Sequence, residues 1–119
     1  MTRQHTKTTN STSFSFRLRL PNAIRELERE IEDVLESSWD QGNRRRASDI
    51  AFALSEACRL EGQRDAAAMA RSIACLMNVS PEKIRPLEGA FREKIIELLT
   101  FLKDISDDLL TDSSQAGRG

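Results

Sequence analysis

The residue types that most often carry enzyme chemistry are sparse in this 119-residue chain. His5 is the only histidine, and the two cysteines, Cys58 and Cys75, lie far apart without a C-x-x-C or His-x-x-Cys spacing. A nucleophile–base pair, a proton relay or a zinc site needs an imidazole or clustered thiols in the folded part of a protein. Two of the five glycines fall in the last three residues, so the sequence contains no glycine-rich phosphate loop. We therefore expect no enzymatic activity, no cofactor and no metal site.

The residues that indicate recognition chemistry are arginines near the N-terminal end. The formal net charge is −1, but the charge is uneven along the chain. Arg17 and Arg19 precede Glu26, which is the first acidic residue. The planar guanidinium group can donate to the O6 and N7 atoms of guanine in a bidentate arrangement, which favours guanine over the other bases by about 1–3 kcal/mol. The basic front of the chain therefore favours contact with a polyanion.

The segment 13–20 reads Ser-Phe-Ser-Phe-Arg-Leu-Arg-Leu, and its strict alternation predicts the one β-strand of the chain. Ser15, Arg17 and Arg19 would lie on its polar face. Its apolar face would hold Phe14, Phe16, Leu18 and Leu20. Helices cannot pair the backbone N–H and C=O groups of a strand, so we expect this strand to pair with its copy in a second chain. The sequence thus predicts a symmetric homodimer.

Helical periodicity follows the strand. The prediction is a mainly α protein in which one N-terminal strand precedes four helices in a small bundle. The helices are expected from Pro21 to about Trp39, from a Ser48 cap to near Gly62, from Asp65 to Met77, and after Ser80, with Pro86 delaying the last one. From Phe91 the apolar residues step by four and three as a heptad seam, which is typical of an intramolecular core stripe or of a dimer zipper. These residues are Ile95, Leu98, Leu102, Ile105 and Leu109.

The chain length suits one compact domain. We predict a flexible arm at 1–12, a strand-helix-helix segment at 13–62, a helical oligomerisation or effector segment at 63–110, and a disordered tail at 111–119. No apolar run approaches the ~20 residues needed to span a bilayer, so no membrane contact is expected. Free thiols on helical stretches suit a reducing compartment, and we expect a cytoplasmic protein. The Ser-, Thr- and Arg-rich front is also typical of an organelle transit peptide, which stays open.

Residues 13–60 resemble the ribbon-helix-helix DNA-binding family. The resemblance is carried by the alternating strand, the amphipathic helix after Pro21, a basic loop and a second helix opened by Ser48-Asp49-Ile50. It implies that two strands form an antiparallel ribbon in the major groove, with Ser15, Arg17 and Arg19 facing base edges. It also implies a phosphate at the start of the second helix, where the loop residues Arg44, Arg45 and Arg46 would add salt-sensitive affinity. The distance from Pro21 to Ser48 is longer than the family usually shows.

Other segments resemble helical interaction proteins. Cys58-Arg59-Leu60-Glu61-Gly62 resembles the histidine-phosphotransfer helix, but a cysteine stands where the phosphorylated histidine must be, which excludes phosphotransfer there. Small residues at 54–74 have the spacing of a tetratricopeptide hairpin. Residues 73–87 instead have the apolar and turn spacing of a helix-turn-helix, which is a second indication of DNA binding. Two functions therefore stay open. One is a small non-enzymatic DNA-binding regulator that dimerises through its strand, and the other is a helical protein-protein interaction module whose C-terminal helices bind a protein partner.

Overall fold

The computed structural model describes the backbone of residues 12–118 and the side chains of residues 12–111. Within this part, the elements are α1 (Phe14–Glu36), α2 (Gln41–Leu60), α3 (Arg64–Met77), α4 (Pro81–Ile84), a 3-10 turn (Arg85–Leu87) and α5 (Glu88–Arg118). The four long helices form a bundle in which α1 and α3 each pack against both α2 and α5. No described helix is both long enough and apolar enough to cross a membrane.

Contacts at the helix ends show that neighbouring helices run antiparallel. The Thr12 hydroxyl, just before α1, donates to the main-chain carbonyl of Glu61, just after α2, at 3.0 Å. Trp39, just after α1, meets Phe91 near the start of α5 with ring centroids 6.3 Å apart in an edge-on arrangement. The chain therefore runs up and down through the four long helices, joined by short connections.

The N-terminal segment is a helix, and the predicted strand at 13–20 is wrong. Ser13 begins α1 as its cap, because its hydroxyl accepts the backbone N–H of Phe16 at 3.1 Å. Steps of four and three residues separate the buried residues of α1, which are Phe16, Leu20, Ile24, Leu27, Ile31 and Val34. Phe14 and Leu18 are 64% and 52% exposed, because the helical period turns them away from the core. Residues 12–118 contain no strand, so the paired-strand dimer has no strand to form it.

The cap of helix α2 is Asp40, eight residues before the Ser48 cap that the sequence predicts. The Asp40 side chain accepts the backbone N–H of Asn43 at 3.1 Å and so caps the helix at its true start. The connection from α1 is a tight turn in which Ser38 and Trp39 adopt positive φ angles of 57° and 66°. The basic run 44–46 therefore belongs to the first turns of a helix and not to a loop.

The C-terminal half follows the sequence pattern more closely. The predicted third helix is confirmed at Arg64–Met77, and Pro86 interrupts the chain in the 3-10 turn before α5, as expected. The heptad seam of α5 is an intramolecular core stripe, because Ile95, Leu98, Leu102 and Leu109 are buried within the bundle. Helix α5 continues to Arg118 through the stretch where the sequence predicts a tail.

The predicted N-terminal arm lies almost wholly outside the described residues. Thr12, its last member, is buried. Besides donating to Glu61, its hydroxyl accepts the side-chain amide of Gln63 at 2.8 Å. The start of α1 is thus held against the connection between α2 and α3.

Helices α2 and α3 pack against each other through small side chains. On α3, Ala66, Ala67, Ala70 and Ala74 are buried. On α2, the Ser55 hydroxyl donates to the main-chain carbonyl of Ala67 at 2.9 Å, and the Ser48 hydroxyl reaches that of Ala74 at 3.5 Å. A short polar side chain reaches a neighbouring backbone only where two helices approach closely, so the alanines set this spacing.

Substitutions at Leu20 and Leu18 test whether the segment is helical. We expect Leu20→Ala to lower the free energy of unfolding by about 2–5 kcal/mol, because Leu20 is 1% exposed. Leu18→Ala should change it by less than about 0.5 kcal/mol, because that side chain is half exposed. Denaturant unfolding followed by circular dichroism measures both. Equal losses for the two leucines would contradict the helix, since a strand places both on its buried face.

Candidate functional site

The structure does not bring Ser15, Arg17 and Arg19 together on one face. Ser15 and Arg19 are exposed one turn apart on α1, where the Arg19 Nε donates to the main-chain carbonyl of Ser15 at 3.3 Å. Arg17 turns towards α5, and one of its terminal nitrogens donates to the main-chain carbonyl of Leu109 at 3.4 Å. The surface that the ribbon resemblance implies is therefore not formed, because a helix separates residues that a strand would align.

Arg44 holds the bundle together at one end. Its Nε donates to the main-chain carbonyl of Trp39 at 2.8 Å, and a terminal nitrogen donates to the carbonyls of Met77 and Val79 at 3.2 Å each. These carbonyls belong to the α1–α2 connection and to the end of α3. The Nε and one terminal nitrogen of Arg44 thus link α2 to the α1–α2 connection and to the end of α3.

The other two arginines of the basic run have different surroundings. Arg46 pairs with Glu30 of α1 at 3.4 Å and also donates to the Asn43 side chain. Arg45 is exposed. The three arginines of the predicted basic patch therefore differ: Arg44 bonds to main-chain carbonyls, Arg46 forms an ion pair with α1, and Arg45 is exposed. DNA binding stays an untested prediction.

Replacing Arg44 tests its structural role. We expect Arg44→Ala to lower the free energy of unfolding by about 1.5–3 kcal/mol, because charged hydrogen bonds to three carbonyls are lost. Arg45→Ala is the matched control and should change stability by less than about 0.5 kcal/mol. Urea denaturation of both variants gives the comparison. Equal stability of the two variants would show that the Arg44 contacts contribute nothing.

The phosphotransfer-like position faces the core. Cys58 is fully buried, and burial raises the pKa of its thiol to about 11. A group-transfer residue must reach a partner protein, which this position does not allow. The other cysteine, Cys75, is exposed on the outer face of α3.

An open groove of about 590 Å³ runs along the outer face of α3. We call it the α3 groove, and its lining is mostly apolar or small. From α3 and the residues after it come Ala68, Arg71, Ser72, Cys75, Leu76 and Val79, and from α5 come Lys94 and Leu98.

The shape of the α3 groove follows from the side chains of α3. Ala68, Ser72 and Cys75 are exposed and recur by four and three residues, so they form one shallow stripe. The stretch from Ala68 to Leu76 spans about 12 Å at the helical rise of 1.5 Å per residue. Leu98 forms part of the α5 wall, and Phe101, one turn further along α5, is 42% exposed. The groove is therefore about two helical turns long, with a low floor and an apolar wall.

The α3 groove is also basic. Its charged lining residues, Arg71 and Lys94, come from different helices. Hydrogen bonding by Arg59 holds the pKa of Glu56 on α2 below its ordinary value, and the charge of Arg71 adds a smaller effect in the same direction. Arg71 follows Ala67 by one turn and precedes Ala74 by one turn, and the α2 serines reach the carbonyls of both alanines, so Arg71 lies on the side of α3 that faces α2. Lys94 lies on α5.

A second concavity, between α1 and α5, differs in character. It encloses about 280 Å³, and the charged side chains that line it are of both signs. Two of them, Lys103 and Glu28, pair with each other at 2.7 Å. The Ser106 hydroxyl beside it is buried without a hydrogen-bond partner among the described residues. Its charges are thus partly neutralised within the protein, in contrast to those of the α3 groove.

Sequence reasoning missed the α3 groove. Arg71 and Lys94 are distant in sequence and line one groove only because α3 packs on α5. One signal was available, because Ala68, Ser72 and Cys75 continue the small-residue composition of α3 onto the face opposite its buried alanines. Within residues 12–111, no group of three or more His, Cys, Asp or Glu residues is placed to hold a metal ion.

Comparisons with protein-family models, with curated proteins and with solved structures found no match to this chain. The resemblance to the ribbon-helix-helix family is therefore neither supported nor contradicted by relatives, and it stays a prediction.

Maleimide labelling tests the placement of the two thiols. We expect Cys75 to react in the folded protein, because its side chain is exposed. Cys58 should react only when the protein is unfolded, because its thiol is inaccessible and its pKa is about 11. Mass spectrometry of single-cysteine variants, Cys58→Ala and Cys75→Ala, separates the two rates. Rapid labelling of Cys58 in the folded protein would contradict the packing of α2 in the core.

Proposed function

We propose that this chain is a protein-protein interaction module that binds a helical segment of another protein in the α3 groove. The observation that carries the proposal is that α3 is packed on its inner face and open on its outer face, where small side chains form the floor of an apolar groove. A module of this kind acts by binding, and it needs none of the catalytic groups that the sequence lacks.

The dimensions of the α3 groove suit a helix. A partner helix that presents apolar residues at positions i, i+4 and i+7 spreads them over about 10 Å, which fits the roughly two turns between Ala68 and Leu76. Alanine, serine and cysteine side chains let a second helix approach closely, since interaxial distance follows the size of the residues at the contact. Such a helix would extend the bundle by one member.

Aromatic side chains flank α3 on both sides. Phe101 on α5 is 42% exposed and lies one turn beyond Leu98 of the groove. Phe52 on α2 is 41% exposed and lies between Ser48 and Ser55, which both bond to α3. Large aromatic residues are enriched at protein interfaces, where burying them contributes much of the binding energy. Their position favours a protein partner that covers α3. A reducing compartment such as the cytoplasm suits this proposal, because Cys75 in the groove would stay a free thiol.

Selection from a yeast-displayed library of amphipathic helical peptides tests the proposal. We expect the wild-type protein to enrich binders. Their affinity should fall about tenfold or more for Ala68→Glu, because a longer charged side chain fills the floor of the α3 groove. Ala53→Glu is the matched control, since Ala53 is an exposed alanine on α2, outside the groove lining. Its binding should equal that of the wild type.

Two results would count against this function. One is a library that yields no binders above background. The other is a set of binders that Ala68→Glu does not weaken. Circular dichroism of both glutamate variants confirms that each one is folded, as expected for substitutions at exposed positions.

A further inference from the structure

We infer that the segment bound in the α3 groove is an acidic amphipathic helix of a partner protein, with apolar side chains against α3 and carboxylates along both flanks. This inference rests on the function proposed above and specifies the chemistry of the partner.

The charged side chains that line the groove have one sign. Arg71 lies one turn from Ala67 and Ala74 on the side of α3 that faces α2, and Lys94 lies on α5, so a helix in the groove has a cation on each flank. The groove lining contains no carboxylate in the part of the chain that the structure describes. A partner with basic flanks would meet repulsion on both sides, whereas glutamates or aspartates there would form ion pairs.

Neither cation is strongly engaged within the protein. Lys94 lies 3.9 Å from Glu97, and both side chains are about half exposed, an arrangement that contributes little. Among residues 12–111, Arg71 has no carboxylate within ion-pair distance, and Glu56, whose pKa its charge affects, is already held by Arg59 at 2.8 Å. Both groups can therefore pair with an incoming carboxylate.

A second copy of this chain fits the groove poorly. In a symmetric dimer the same patch meets itself, so two copies each of Arg71 and Lys94 would face one another across the interface. A nucleic acid also fits poorly, because its phosphates would lie over an apolar surface that includes Leu98 and Val79. An acidic amphipathic helix satisfies both the apolar floor and the cationic flanks.

Two synthetic peptides of about 16 residues test the inference. Both carry leucines at i, i+4 and i+7, and the flanking positions hold glutamates in one peptide and lysines in the other. By fluorescence anisotropy at low salt, we expect the acidic peptide to bind about tenfold or more tightly than the basic one. Its affinity should fall as salt is raised, since about 0.1 M salt screens exposed charges beyond about 10 Å.

Charge reversal locates the effect. In the double variant Arg71→Glu and Lys94→Glu the preference should invert, so that the basic peptide binds more tightly. The matched control reverses Arg29 and Arg45, which are exposed on α1 and α2, and should keep the preference of the wild type.

Four outcomes overturn the inference: equal binding of the two peptides, tighter binding of the basic peptide, no binding of either, or a preference that the Arg71 and Lys94 reversals leave unchanged. The inference would also be wrong if a second copy of the chain occupies the groove. In that case sedimentation of the same samples would show that the wild-type protein self-associates and that Ala68→Glu dissociates it. If library binders remain sensitive to Ala68→Glu in any of these cases, the proposed function stands and only the acidic partner is wrong.

Discussion

Four buried alanines on α3 let α2 approach closely enough for two serine hydroxyls to reach main-chain carbonyls of α3. Side chains with more than one carbon at these positions would separate the helices and leave the buried Ser55 hydroxyl without its partner, at a cost of about 1–3 kcal/mol. The remaining helices follow from this pair, because α1 covers α2 and α5 covers α3. Arg44 then fixes the end of α3 to the α1–α2 connection through three carbonyls.

The same composition accounts for the candidate site. A helix made mostly of small residues packs closely on its inner side. On its outer side the short side chains leave a shallow surface close to the helix backbone. Leu98 lines the α5 side of the groove, and Phe101, one turn further along α5, is 42% exposed. The groove is therefore a consequence of how α3 packs, and the cations on its flanks add the chemistry that selects among partners.

The sequence predicts the helical class, the bounds of the third helix and the interruption at Pro86, because each depends on local signals. It fails at 13–20, where Phe16 and Leu20 satisfy a period of two and a period of 3.6 equally well over eight residues. Only the apolar residues that follow, Ile24, Leu27 and Ile31, distinguish the helical period from the strand period. The start of α2 is missed for a similar reason, since the capping signal of Asp40 precedes a Gly-Asn pair that also ends helices. The groove cations could not be paired from sequence, because tertiary packing alone brings α3 and α5 together.

Chemical-shift mapping by NMR tests the central claim most directly. The measurement titrates isotope-labelled protein with the acidic helical peptide and records which backbone amides shift. The account predicts that the shifts concentrate on the outer face of α3, around Ala68, Ser72 and Cys75, and on α5 near Lys94 and Leu98. Shifts centred instead on α1, around Ser15 and Arg19, would contradict it.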